Sequence, residues 1–265
     1  MTNRIRQVEL NDQTVAPAGA EVRVTVHVDE VTPTTDVRGR LMGPTCRYGT
    51  TVEVAYPLRP LAKNQKPPFS EGPAVTLRVL IPEPSLWDPV SPFLYHGFVD
   101  LWLVGERVEQ IAVRHGLRIR TLTPRGLRWN GKPLPLRCKD VGFCSEEEML
   151  ALRSAGYNLL IAHASAGTAV LWERADRIGF LMLGRVAARD ESLAVELASR
   201  PSCLGFLCDL ETGEACESFR GRGPVGVELD TPPAQPLPAG FDFVLCASEM
   251  REEMSRLGLA VLTRD

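Results

Sequence analysis

The sequence predicts a β-sandwich followed by an α/β domain with parallel strands. From Arg4 to Arg120, short runs alternate apolar and polar side chains, which is typical of strands with one solvent-facing side. After Thr123, apolar strand patterns alternate with helical patterns, which is the signature of parallel βα units. The length of 265 residues suits two domains rather than one. We therefore predict a sandwich over residues 1–122 and an α/β domain over residues 123–265.

Seven alternating runs predict the strands of the sandwich. They read RIRQVEL, AEVRVTVHV, DVRGRLMG, TTVEVAYPL, AVTLRVLI, LYHGFVDLWLV and ERVEQIAVRHGLRIR. Proline and glycine separate the runs, and this spacing of short strands favours a sandwich. The longest polar insertion, residues 57–73, is predicted to be a mobile loop.

The second half begins with PLPLRCKDVG, which could be a strand. SEEEMLALRSAG predicts a helix with a serine N-cap, an acidic first turn and a stop at Gly156. The segments YNLLIAHA, FLMLGRV and SCLGFLC predict strands, and GTAVLWERADRIG and DESLAVELASR predict the helices between them. GRGPVGVELDTPPAQPLPAG is rich in proline and glycine and is predicted to interrupt the alternation. FDFVLC, ASEMREEMSRLG and LAVLT then resume it as strand, helix and strand.

Composition excludes several classes of partner. Hydrophobic content is 44%, charged content is 24% and net charge is −3, as in soluble globular proteins. Residues 1–122 carry 14 basic and 13 acidic side chains, and the remainder carries 16 and 20. Neither half has the basic excess that binding to nucleic acid requires. No signal peptide or membrane span is predicted, so a chain with a native first methionine is expected to be cytoplasmic.

The seven cysteines do not form a recognisable metal motif. They are odd in number, lack CxxC spacing and mostly lie in apolar runs. We predict buried free thiols, with a zinc site as the alternative. No cofactor is expected.

Two stretches resemble glycoside hydrolase family 2, the β-galactosidase and β-glucuronidase family. The segment PSLWDPVSPFLYHGFVDLWLVGERVEQIAVRHGLRIRTL is similar to the end of the family's immunoglobulin-like domain. The next segment, LRWNGKPLPLRCKDVG, resembles the family's entry into its TIM barrel. The matching residues in the two stretches are Trp87, Pro89, Pro92, Leu94, Tyr95, Gly116 and Arg118, and then Asn130, Gly131, Lys132, Pro133, Leu136 and Arg137. We expect Trp87 and Tyr95 to pack the sandwich rather than bind sugar, because aromatic side chains in alternating runs usually lie in the core.

The resemblance implies an immunoglobulin-like sandwich followed by an incomplete TIM barrel. About 140 residues follow Leu122, whereas a full barrel takes about 250. We expect an open sheet of five or six parallel strands, without barrel strands seven and eight. Open sheet edges need cover, so we expect a homodimer or a larger assembly. A three-layer α/β sheet is the alternative.

The resemblance also supplies candidate site residues. The family's acid/base motif, laid over RPSCLGFLCDLE, places Glu211 on the catalytic acid. Leu210 stands where the family has a sugar-binding asparagine, and Ile161 stands where it has an arginine. Gly184 and Arg185 replace an acidic pair.

Three further side chains are candidates near the predicted strand ends. Glu249 is a candidate nucleophile, and its alternative role is a carboxylate at a helix N-terminus. His163 and Asp209 are candidates for substrate binding. A structural hydrogen-bonding role is the alternative for His163, and a solvated loop position is the alternative for Asp209.

Three functions remain open. The first is a catalytically inactive relative of the family that acts as a binding or scaffolding module. Carbohydrate is its candidate ligand. The second is a divergent retaining β-glycosidase with Glu211 as acid/base and Glu249 as nucleophile. The third is a subunit whose barrel is completed by a separate polypeptide.

Overall fold

The computed structural model describes residues 3–62, 65, 72–187, 191–210 and 219–264. The chain forms two compact units. The first comprises Met1–Trp87 and Phe93–Leu117, and the second comprises Asp88–Pro92 and Arg118–Asp265. The predicted boundary after residue 122 therefore falls within the second unit. No helix in the described ranges is both long enough and apolar enough to cross a bilayer.

The first unit contains two four-stranded antiparallel sheets. Its strands are β1 (Ile5–Ala16), β2 (Gly19–Val28), β3 (Thr35–Thr45), β4 (Val54–Pro57), β5 (Arg59–Pro60), β6 (Ala74–Pro82), β7 (Leu94–Leu103) and β8 (Glu106–His115). One sheet has the order β1-β2-β6-β5, and the other has the order β4-β3-β7-β8. All seven predicted strands are confirmed, and β5 is an additional short one. Within the predicted mobile loop, residues 57–73, Arg59–Pro60 instead form β5, and residues 63, 64 and 66–71 lie outside the described residues.

Alternation along the strands builds the core of this unit. In β2, Val22, Val24, Val26 and Val28 are buried, and side chains from both sheets join them in one hydrophobic cluster. The two sheets therefore pack face to face as a sandwich. Trp87 and Tyr95 are fully buried, and Tyr95 belongs to the hydrophobic cluster of the sandwich, which confirms the prediction for Tyr95.

Tyr95 makes the stability of this unit sensitive to alkaline pH. Its hydroxyl accepts a 3.0 Å hydrogen bond from the Ser85 N–H, and burial raises the pKa of Tyr95 to about 12. Because the folded pKa lies above the unfolded value near 10, this contribution is present below pH ~10 and is lost as the pH rises toward ~12. We expect the unfolding free energy to fall by about 2 kcal/mol across that window.

Tyr95→Phe is the matched control for this pH dependence, because it removes the titrating hydroxyl and keeps the ring. Chemical denaturation from pH 8 to 12 should show a shallower alkaline loss for Tyr95→Phe than for the parent chain. Equal slopes for the two proteins would contradict the assignment.

The second unit begins with a small antiparallel sheet. Its strands are β9 (Arg120–Thr123), β10 (Gly126–Trp129) and β11 (Lys132–Pro133), in the order β11-β10-β9. Leu127 and Trp129 are buried. The guanidinium of Arg120 donates to the carbonyls of Cys203 at 2.9 Å and Leu204 at 3.0 Å. These bonds tie the small sheet to the amino end of a strand in the parallel sheet that follows.

Seven parallel strands then form a nearly closed barrel-like sheet. They are β12 (Cys138–Asp140), β13 (Leu159–His163), β14 (Leu181–Val186), β15 (Cys203–Cys208), β16 (Val225–Glu228), β17 (Phe243–Ala247) and β18 (Ala260–Arg264). Each strand pairs with the next in chain order, which is the winding of a barrel. The edge strands approach each other, since the thiol of Cys138 lies 3.6 Å from the carbonyl oxygen of Thr263.

The helices around this sheet are short. They are α1 (Glu146–Ser154), α2 (Ala169–Ile178), α3 (Glu191–Ser199) and α4 (Arg251–Met254). The predicted N-cap of α1 is confirmed, because Ser145 and Glu148 form a reciprocal capping box. The single helix predicted over ASEMREEMSRLG is instead α4 flanked by two 3₁₀ turns.

The expectation of an open sheet with five or six strands is wrong. The segment rich in proline and glycine contains β16, and β18 is the seventh parallel strand. Four residues suffice for β16 because it is flanked by strands on both sides. Packing favours glycine at position 226, since a Cβ there would overlap the ring of Phe243. Unpaired edges are thus a weaker reason to expect a homodimer, and oligomeric state stays a prediction.

Alternation also gives the barrel an outer and an inner set of buried side chains. The outer set packs under the helices and includes Leu160, Met182, Phe206, Val227 and Val244. The inner set is likewise buried and comprises Cys138, Leu159, Ile161, Leu181, Leu183, Leu204, Leu207, Phe243, Leu245, Ala260 and Leu262. The barrel is therefore a packed core rather than a pore.

The cysteines follow the prediction with one correction. Cys46, Cys138, Cys144, Cys203 and Cys246 are free, and all but Cys46 are buried. Cys208 is disulfide-bonded, so the prediction of a free thiol is wrong for this residue. Among the residues described above, no group of three His, Cys, Asp or Glu side chains could hold a metal ion.

Candidate functional site

Charged side chains gather at the carboxyl ends of the barrel strands, where ligand sites of parallel α/β folds lie. Asp140, Arg185, Glu228 and Arg264 come from β12, β14, β16 and β18. Each is the last or the penultimate residue of its strand. Side chains from alternate strands share a layer inside a barrel, so these four residues form one layer at its mouth. We call them the mouth network.

Ion pairs connect the whole mouth network. Arg185 donates two hydrogen bonds to the Asp140 carboxylate, one of them 3.0 Å long, and its Nη2 lies 2.8 Å from Oε2 of Glu228. Arg264 pairs with the other oxygen of Glu228, and it also donates to Asp230 at 2.6 Å. Glu228 thus bridges two arginines, and Arg185 bridges two acids.

Burial makes this arrangement more than a surface pairing. The side chains of Arg185, Glu228 and Arg264 are only 29%, 21% and 30% exposed. Hydrogen bonds from Arg185 to Asp140 raise the pKa of Arg185, which keeps the guanidinium charged. A carboxylate held by fixed guanidinium groups is stabilised as an anion and has its lone pairs occupied. The mouth network is therefore suited to joining strands, not to attacking a substrate.

A cavity of about 660 Å³ shares two residues with the mouth network. Its lining comprises Cys138, Lys139, Asp140, Tyr157, Ala247, Ser248, Glu249 and Arg264. These residues belong to the two edge strands, the segment before β13, the last residue of β17 and the turn that follows it. The cavity offers an ammonium, carboxylates, a hydroxyl and a phenol, which are groups that bind small polar molecules.

The predicted site residues do not all meet in this cavity. Glu249 lies in it, in the first turn after β17, where it is exposed. His163 and Asp209 are exposed at the ends of β13 and β15, and neither lines the cavity. Glu211 lies outside the described residues.

Positions that depart from the family pattern have structural roles. Ile161 is buried inside the barrel, and Leu210 is 41% exposed beyond β15. A Cβ at Gly184 would come within 3.1 Å of both Trp172 and Ala164, so packing favours glycine there. Arg185, which replaces an acid in the family pattern, is the centre of the mouth network.

The sequence predicts Arg185 only as a departure from the family pattern, and it does not predict Asp140, Glu228 or Arg264 as site residues. The available signal was a charge at the carboxyl end of each apolar strand run. Two obstacles hid the pattern. The strand that ends at Glu228 was not recognised, and alternate strands share a layer only when the order of the sheet is known.

Solved structures share this fold. A glycosyl hydrolase family 2 member from Bacteroides cellulosilyticus DSM 14838 superposes with a TM-score of 0.70 at 16% identity, over 98% of this chain and 42% of that one. The chain therefore shares the fold of about two fifths of that family 2 structure. A β-glucuronidase from Parabacteroides merdae gives a TM-score of 0.68 at 13% identity, with 99% and 40% covered.

A third neighbour with this fold is a β-glycosidase from Bacteroides vulgatus, with a TM-score of 0.69 at 12% identity over 98% and 38% of the two chains. The chain thus spans about two fifths of the length of these family 2 structures. No family model matches the sequence, and no curated protein matches it.

Proposed function

We propose that this chain is a family 2 glycosyl hydrolase-like protein without hydrolase activity, and that it acts as a binding or scaffolding module. The mouth network carries the proposal. It places arginines and paired acids at the strand ends where a glycosidase needs reactive carboxyl groups. An immunoglobulin-like assignment of the sandwich is part of the same proposal.

Retaining glycosidases need two carboxyl groups about 5 to 5.5 Å apart, one to attack and one to donate a proton. Arg264 ends the seventh parallel strand, which is the strand that carries the nucleophile in the family that the sequence resembles. A guanidinium cannot attack an anomeric carbon. The next residue, Asp265, lies outside the described residues. Leu210, beside Glu211, cannot donate the hydrogen bond to a sugar hydroxyl that stabilises the transition state.

Binding is the remaining use for the barrel mouth. Within the described part of the chain, Lys139 and Glu249 line the cavity without an ion-pair partner. Both therefore keep hydrogen-bonding capacity for a ligand, and Tyr157 adds an aromatic surface. Hydroxyl-rich molecules such as carbohydrates fit this mixture of donors, acceptors and a ring.

A divergent retaining β-glycosidase is the second candidate. Two observations favour it: the fold shared with β-glucuronidases, and the position of Glu249 in the cavity. In this case Glu211 is the acid/base and Glu249 is the nucleophile.

Release of nitrophenol from a panel of aryl β-glycosides separates the two functions. We expect no release above that from the Glu211→Gln variant, purified in parallel so that contaminating hydrolases are equal in both samples. Release that is lost in Glu211→Gln and in Glu249→Gln, but kept in the exposed neighbour variant Glu253→Gln, would establish the glycosidase instead.

A further inference from the structure

The outward face of the sheet β1-β2-β6-β5 carries a row of arginines. Because Val22 and Val24 point into the sandwich core, Arg23 between them points outward. In β6, Leu77 and Val79 are buried in the same core, which places Arg78 on the same outward face.

Strand register brings three arginines into one row across the sheet. Arg23 is directly opposite Arg78, and Arg78 is directly opposite Arg59 of β5. On the other side of Arg23, Asn11 of β1 continues the row. Neighbouring strands lie about 4.8 Å apart, so the three guanidinium groups branch from positions that span about 10 Å. We call Arg23, Arg59 and Arg78 the arginine row.

Among the residues that the structure describes, acidic partners do not balance the arginine row. Glu21 lies 3.6 Å from Arg78 and also accepts a hydrogen bond from Gln65. Arg23 and Arg59 form no ion pair with any residue that the structure describes. The buried Nε atoms of Arg23 and Arg78 also lack a hydrogen-bond partner.

Like charges directly opposite each other destabilise a sheet, and buried donors without partners add a further cost. An external anion at the outer ends of the guanidinium groups would remove the repulsion between them. The arginine row therefore has the properties of a binding surface whose counter-charge comes from a ligand.

We propose that the arginine row binds the acidic groups of an extended anionic polysaccharide. Each guanidinium presents a planar pair of donors that matches a sulfate or a carboxylate. Charges recurring about every 5 Å along a chain laid across the strands would meet successive arginines. The amide of Asn11 and the hydroxyl of Thr76 on the next row provide partners for sugar hydroxyls.

The composition of this surface favours polysaccharide over nucleic acid. Strands β1, β2, β5 and β6 contain no Phe, Tyr or Trp. Proteins that bind single-stranded nucleic acid rely on aromatic stacking platforms, and the sheet offers none. The site lies in the first unit and is independent of the function proposed for the barrel.

Dextran sulfate of defined length, titrated into the full chain at about 0.15 M NaCl, tests the site, with neutral dextran as the uncharged probe. We expect the sulfated polymer alone to bind. The double variant Arg23→Gln/Arg59→Gln should weaken binding at least about tenfold, since two charge-assisted contacts are lost. Arg40→Gln/Arg107→Gln removes the same net charge from exposed positions on the other sheet and should change affinity less than about twofold.

Stability measurements on these variants separate binding from folding. Without ligand, Arg23→Gln/Arg59→Gln should unfold at or above the parent temperature, because repulsion within the row is relieved. Failure of the parent chain to bind, or equal losses in both double variants, would overturn the proposal. A single-stranded oligonucleotide of equal charge that binds as tightly would also overturn it, as would inorganic sulfate that competes equally per sulfate group.

Discussion

Replacing Gly226 by alanine is expected to lower the free energy of unfolding by about 3 kcal/mol. The added Cβ would overlap the ring of Phe243, which packs from β17 across β16 into the barrel interior. The backbone at Gly226 is not left-handed, so the loss comes from the overlap and not from strain in φ. Urea denaturation of the parent chain and the variant measures the difference.

Two further variants identify the overlap as the cause. In a Phe243→Leu background the same alanine should cost less than about 1 kcal/mol, which corresponds to a coupling energy near 2 kcal/mol. Gly142→Ala is the matched control, because no atom lies within 4 Å of its added Cβ. An equal cost for Gly226→Ala with and without the Phe243 ring would show that the ring is not the obstacle.

Replacing Arg185 by methionine is expected to lower the free energy of unfolding by about 2 kcal/mol. The change leaves Asp140 without its two hydrogen bonds and removes one of the two cations at Glu228. Breaking a buried pair costs about 3 to 5 kcal/mol and breaking an exposed pair costs under 1 kcal/mol, so a site at 29% exposure falls between them.

Arg107→Met is the control for the mouth network. Arg107 is 53% exposed and lies 3.8 Å from its partner Asp100, so this variant should lose less than about 0.5 kcal/mol. Thermal unfolding at low and high salt distinguishes the two sites. The Arg185→Met loss should persist in 1 M NaCl, because partly buried pairs are screened less. A loss that vanishes in high salt would show that the mouth network behaves as a surface pairing.

Much of the fold could be predicted because its elements have strong local signals. The run AEVRVTVHV alternates over its whole length, and it forms β2. Ser145 and Glu148 have the spacing of a capping box, and α1 begins there. The strand VGVE lacked such a signal, since four residues between glycine and proline show no periodicity. Its pairing on both sides, not local propensity, stabilises it.

The sites were harder to predict because their residues are distant in the sequence. Arg23, Arg59 and Arg78 are unremarkable one at a time, and the overall charge balance conceals them. Only the register of β2, β5 and β6 places them in one row. Asp140 and Arg264 likewise come together only when the sheet curls until its first and last strands approach.

The odd number of parallel strands affects how the inward side chains of the barrel are layered. In a closed barrel with an even number of strands, the inward side chains of neighbouring strands alternate between two layers, and this alternation is unbroken around the barrel. With seven strands, the inward side chains of the first and last strands fall in the same layer, so Asp140 and Arg264 lie in one layer and both line the cavity. The same two edge strands border the cavity, so the break in the alternation and the opening occur at one place.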